Sequence, residues 1–100
     1  MSKREKVIRV LRNNLPYLRK NFGVTRVALF GSYASGKATK ESDIDLLVEF
    51  KKPIGLAFMD MVEYLEKALG SKTDILTPAG IKSMRVKSIA ESIKGSLIYV

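Results

Sequence analysis

The sequence predicts an α/β fold, and three observations carry that prediction. Apolar residues recur at helical spacing in three separate segments, short β-rich runs lie between them, and glycine or proline marks most junctions. The chain of 100 residues suffices for one core and one site, with no room for a separate substrate-binding domain. A single domain spanning residues 1–100 is expected.

The first element is a helix over 3–21, where Val7, Ile8, Leu11, Leu15, Leu18 and Phe22 repeat at helical intervals. Pro16 lacks an N–H, so a kink or two consecutive short helices is expected near Asn14. Gly23 stops the helix. Residues 24–30 read as a largely buried strand, and Gly31 to Ser42 as a Gly/Ser/Lys-rich loop. A second strand covers 43–50 and breaks at Lys51, Lys52 and Pro53. Helical period returns over 55–69, with Phe58, Val62, Leu65 and Leu69 on one face and Gly70 closing it. A short third strand runs from Thr73 to Thr77 and ends at Pro78. A last helix is expected around 80–94, with Val86, Ile89, Ala90 and Ile93 inward, followed by a small strand at Leu97–Val100.

Composition removes several chemistries. No cysteine means no disulfide, thiolate or zinc-finger site, and no histidine means no imidazole base and no Ser-His-Asp constellation. Carboxylates, hydroxyls, lysines and bound ions remain. No apolar run approaches the roughly 20 residues that span a bilayer, and the basic N-terminus lacks a secretory core, so a cytoplasmic location is expected. The net charge of +8 is uneven. Residues 1–26 hold eight basic side chains against Glu5, whereas 27–77 hold six basic residues against eight acids. An acidic centre with basic flanks suits a site for cations and then polyanions; a solvated basic surface accounts for the charge equally well.

The acidic centre has a pattern. On a strand, residues i and i+2 share a face, so Asp43 and Asp45 project together with Cα atoms about 6.6–6.8 Å apart. Ile44, Leu46 and Val48 form the opposite, core-facing side. Two neighbouring carboxylates in a hydrophobic strand repel each other, and Mg²⁺, which takes oxygen ligands, would relieve that repulsion. Just upstream, Gly31 follows a buried strand and lets backbone approach a phosphate, while Ser32 adds a hydroxyl donor. Asp-x-Asp alone describes many solvated edge strands, but the Gly-Ser pair upstream shifts the balance toward a site.

Gly31-Ser32, ten residues, then Asp43-Ile44-Asp45 resembles the signature of the DNA polymerase β-like nucleotidyltransferase superfamily. Ala28-Leu29-Phe30 before the pair, Gly36 in the loop and Ser42 through Val48 extend the likeness. At this length the whole chain is similar to the minimal nucleotidyltransferase (MNT) family, which implies a small mixed β-sheet flanked by helices, the polymerase β-like palm. Ser35 departs from the pattern, standing where members often carry arginine, and removes a loop-arginine contact to phosphate.

The resemblance implies a third carboxylate on a later strand, and Asp74 is the matching residue. It further implies transfer of a nucleoside monophosphate from an NTP, with ATP as donor, to a hydroxyl. Two Mg²⁺ ions would be held by Asp43, Asp45 and Asp74, and the triphosphate by Gly31 and Ser32. MNT proteins pair with HEPN-domain toxins, so the implied role is an antitoxin that modifies a toxin tyrosine with AMP. Neutralising the partner by occlusion alone is the non-catalytic alternative.

Other features rank lower. Asp60, Glu63 and Glu66 read as a solvated helix face, Glu41 as exposed loop, and Glu49 as the margin of the site. Gly31 to Ala38 nearly spells a phosphate-binding P-loop, but Ala38 stands where Ser or Thr is required, leaving Lys37 a solvated loop lysine. Arg9, Arg12 and Arg19 on the first helix fit a nucleic-acid-binding face or docking to an acidic protein surface. Phe58, Met59 and Met61 read as core or as a surface for homo-oligomers.

Overall fold

The computed structural model describes residues 2–84 and 87–100. Helix α1 (Lys3–Phe22) opens with Ser2 as N-cap, its Oγ accepting the Glu5 N–H at 3.1 Å. It continues through Pro16 as one helix rather than two. Proline removes a single backbone hydrogen bond, and burial of Val7, Leu11, Leu15 and Leu18 on one stripe holds the turns on either side. Gly23 ends α1 in the left-handed region, its N–H donating to Arg19 and Leu18 carbonyls.

Strand β1 (Val24–Phe30) leads into a one-turn helix, α2 (Gly31–Ser35), where loop was expected. Strand β2 (Ile44–Phe50) follows, then helix α3 (Phe58–Leu69), strand β3 (Thr73–Leu76), short helix α4 (Pro78–Lys82), helix α5 (Lys87–Gly95) and strand β4 (Ile98–Tyr99). The anticipated helix over 80–94 is therefore two helices. Val86, expected to face inward, lies outside the described residues.

The strands form a mixed four-stranded sheet in the order β3-β2-β1-β4. β1 is antiparallel to both β2 and β4, and β2 is parallel to β3. Parallel neighbours need a crossover connection, which α3 supplies.

Helices cover the sheet on both faces, because the strands alternate between two apolar sets. Val27, Leu29, Ile44, Leu46 and Val48 pack with α1 and with Met61 and Leu65 of α3. On the other face Ala28, Phe30 and Leu47 pack with Ile81 of α4, with Ala90, Ile93 and Leu97 at the periphery. Ile89, expected inward, is 53% exposed; its neighbours Ala90 and Ile93 make the contact instead. The Phe58, Met59 and Met61 group divides. Met61 is fully buried and Phe58 packs on the core, whereas Met59 points outward. Among the described residues no helix is long and apolar enough to cross a membrane.

Candidate functional site

The candidate site lies where β1 ends and β2 begins. Phe30, the last residue of β1, pairs with Asp45 across the antiparallel ladder. The next residue, Gly31, therefore turns beside the Asp45 side chain. Its φ of 71° lies in the left-handed region, and a Cβ there would fall 2.1 Å from Asp45 Oδ2. Both the backbone conformation and the close approach require glycine.

Helix α2 then fixes Ser32. The Ser32 carbonyl accepts from the Gly36 N–H, from the Lys37 N–H at 2.9 Å and from Ser35 Oγ at 3.1 Å. Ser35, which departs from the superfamily pattern, thus serves the turn itself. Downstream, Ser42 Oγ accepts the Thr39 N–H at 2.9 Å and the Ser42 N–H donates to Thr39 O at 3.2 Å. This small turn delivers the chain to Asp43 at the mouth of β2.

The third carboxylate arrives through β3. In the parallel ladder Asp45 pairs with Asp74, and Ile44 with Thr73, so Asp74 lies on the strand next to Asp45 and shares its face. The Ile44 N–H donates to Lys72 O at 2.9 Å, which locks this register from the first residue of β2. The fold thus packs Gly31 against Asp45 and sets Asp74 in register beside it, with Ser32 and Asp43 close along the chain at the same end of the sheet.

Electrostatics mark Asp45 within this group. Its pKa is raised, first by burial, then by the Asp74 charge and then by the Asp43 charge. Both neighbours are within electrostatic reach of it. Asp43 and Asp74 are exposed, and among the described residues no three acidic side chains are drawn together tightly enough to make a ready ligand set. The group nevertheless suits a divalent cation. Its donors are carboxylate oxygens, and their mutual repulsion favours an intervening positive charge.

Other acids have structural employment. Glu49 is engaged by Arg26, with Nη2 3.0 Å from Oε2. Glu66 does not simply face solvent: its Oε2 accepts the Thr73 N–H at 2.9 Å and anchors the start of β3. Lys37 and Glu41 are exposed, as are Arg9, Arg12 and Arg19 on α1. One contact had no signal in the sequence. Arg4 Nη1 donates to Ala34 O at 2.9 Å, joining α1 to the turn after β1.

The chain matches the nucleotidyltransferase domain family over residues 11–100. It is 44% identical over 94 residues to a Methanocaldococcus jannaschii protein provisionally named a protein adenylyltransferase, covering 91% of each chain. It is 36% identical over 97 residues to the protein adenylyltransferase MntA of Thermococcus cleftensis, covering 96% of this chain and 94% of that one. A solved structure provisionally described as a minimal nucleotidyltransferase superposes with a TM-score of 0.72 at 29% identity, covering 98% and 95% of the two chains. A toxin–antitoxin complex with AMP-PNP gives a TM-score of 0.62 at 25% identity, covering 96% of this chain and 70% of that one. The family match spans the Gly-Ser turn and the acidic strand, and on that ground the chain belongs to the nucleotidyltransferase domain family.

Proposed function

We propose that this nucleotidyltransferase moves AMP from ATP to a hydroxyl on a partner protein, as the antitoxin of a HEPN-domain toxin whose tyrosine is the acceptor. The observation that carries the reading is the Asp45–Asp74 register with Gly31 packed against Asp45, which sets two carboxylates of the acidic pattern side by side next to the Gly-Ser turn. The relatives named protein adenylyltransferases, and the likeness to a toxin–antitoxin complex with AMP-PNP, support the choice of donor and partner class. Residues 1–100 would act as one domain in the cytoplasm.

In this mechanism Gly31 offers backbone to the triphosphate and Ser32 offers its hydroxyl. Asp43, Asp45 and Asp74 would hold Mg²⁺, which would supply positive charge to the phosphoryl oxygens and acidify the acceptor hydroxyl. Asp74, exposed at the open side, takes the proton of the acceptor hydroxyl. The acceptor oxygen forms its bond to the α-phosphorus as the bond to the bridging oxygen breaks, and pyrophosphate leaves with that electron pair. No histidine is required, and the chain has none.

The test is incubation of the chain with ATP labelled at the α-phosphate, Mg²⁺ and the HEPN-type protein encoded beside it. Label on the partner, lost with Asp43→Asn plus Asp45→Asn, is the expected result. Full neutralisation by that folded double variant, with no transfer by the wild type, would establish occlusion instead.

A further inference from the structure

Helix α2 has five residues, far below the length at which a helix sustains itself in water. Its geometry is therefore set by what holds it. Within the turn, the Ser32 carbonyl accepts three donors, all from residues 35–37. From outside it, the Arg4 guanidinium reaches across from the first turn of α1 and donates to the Ala34 carbonyl. That carbonyl belongs to the last turn of α2, where a helix leaves carbonyls without partners and where positive charge is favoured. Tyr33 and Ala34 are buried, so this end of the turn is seated against the core, and Arg4 closes the side toward α1. Arg4 also lines, with Ser2, Lys3, Tyr33, Gly36 and Ala38, a cavity of about 180 Å³ beside the turn.

The anchor at the other end is firm. Ser2 caps α1, and Val7 and Leu11 bury its next turns. A continuous connection thus runs from the α1 stripe through Arg4 to Ala34, and from α2 to Ser32 and Gly31 beside Asp45.

We propose that Arg4 is a positioning residue for the nucleotide, holding the Gly31–Ser35 turn in the conformation that receives the triphosphate. This rests on the nucleotidyltransferase site described above. Arg4 acts through Ala34 and need not touch the nucleotide, so its loss weakens nucleotide binding while the carboxylates keep their chemistry.

Titration of the full chain with a fluorescent ATP analogue and Mg²⁺, alongside steady-state transfer, tests the assignment. Arg4→Ala is expected to raise Kd and the KM for ATP about tenfold and to leave kcat within about twofold. Arg4→Lys, which keeps a donor, restores most of the affinity. Arg9→Ala, on the same helix, removes the same charge without the tether and binds like wild type. Should Arg4→Ala fail to fold, Arg4→Lys is compared with Arg4→Met, which keeps the stem but no donor; tight binding by the first and weak binding by the second upholds the assignment. Equal affinities of wild type and Arg4→Ala, or equal losses in Arg4→Ala and Arg9→Ala, overturn it. A fall in kcat at unchanged KM overturns it as well. If the wild type binds nucleotide but transfers nothing, the transferase reading fails and the affinity ratio still decides the role of Arg4. If it binds no nucleotide, both fail.

Discussion

Gly31 and Asp45 occupy adjoining space that leaves no room for a side chain on the first: a Cβ on Gly31 would lie 2.1 Å from Asp45 Oδ2, 3.0 Å from its Cγ and 3.2 Å from its Cβ. The pairing of Phe30 with Asp45 creates this approach, because the chain must turn at the residue after Phe30. The turn at Gly31 and the Asp45 carboxylate are thereby built as one unit.

Gly31→Ala tests that unit. The variant combines a left-handed φ of 71° with the clash against Asp45, and is expected to lose about 1–3 kcal/mol of stability. Displacing the carboxylate by even about 1 Å should lower transfer by about 100-fold. Urea unfolding and the label-transfer assay read the two effects, and wild-type transfer by Gly31→Ala would remove the reason given for glycine.

Asp45→Asn should separate stability from activity. Burial and the charges of Asp74 and Asp43 raise the Asp45 pKa in the folded chain above the ordinary 3.8, so its ionised form is disfavoured by folding. The wild type therefore bears a penalty that builds as pH rises through 3.8 and is complete above the raised folded value. Asparagine has no such penalty. In metal-free buffer Asp45→Asn is expected to be the more stable chain at neutral pH, with the gain vanishing as pH falls below 3.8. Urea midpoints across pH check the sign, while transfer is expected to disappear.

Mg²⁺ should reverse that penalty. Binding to the folded state at about ten times the dissociation constant contributes about 1.4 kcal/mol, which appears as a higher Tm and is removed by EDTA. Asp74→Asn and Asp43→Asn should each reduce the shift, since each removes a carboxylate that raises Asp45. A full shift in Asp74→Asn would take β3 out of the proposed cation site.

Tyr64→Phe is a control for the scaffold. Tyr64 stacks on Tyr17 with ring centroids 4.3 Å apart and an interplanar angle of 10°, and its hydroxyl donates to Asn14 Oδ1, tying α3 to α1. Phenylalanine keeps the stack and loses the hydrogen bond, so a cost of about 0.5–1.5 kcal/mol is expected. Transfer kinetics should not change, because neither ring lies in the candidate site; a large fall in kcat would mean that the α1–α3 contact governs the chemistry.

The sequence made most of the scaffold legible. The stripe from Val7 to Phe22 and the alternation Ile44, Leu46, Val48 read directly as a helix face and a strand face, and both are buried as expected. Asp43 and Asp45 could be assigned a common side from parity alone. Helix α2 could not be read, because five residues including two serines and a glycine carry little helical propensity of their own. The structural use of Glu66 was equally hidden. Its partner, the Thr73 N–H, depends on how α3 returns to the sheet.

Periodicity and motif spacing are relations between near neighbours in the chain, and by themselves they determined the order of the two long helices and the strands, the acidic strand and its glycine-serine pair. Only the tertiary structure decided that Asp74 stands in register with Asp45 and that Arg4 reaches Ala34. Those meetings join distant segments, and they depend on the α3 crossover that makes β3 parallel to β2 and on the seating of α1 against the core.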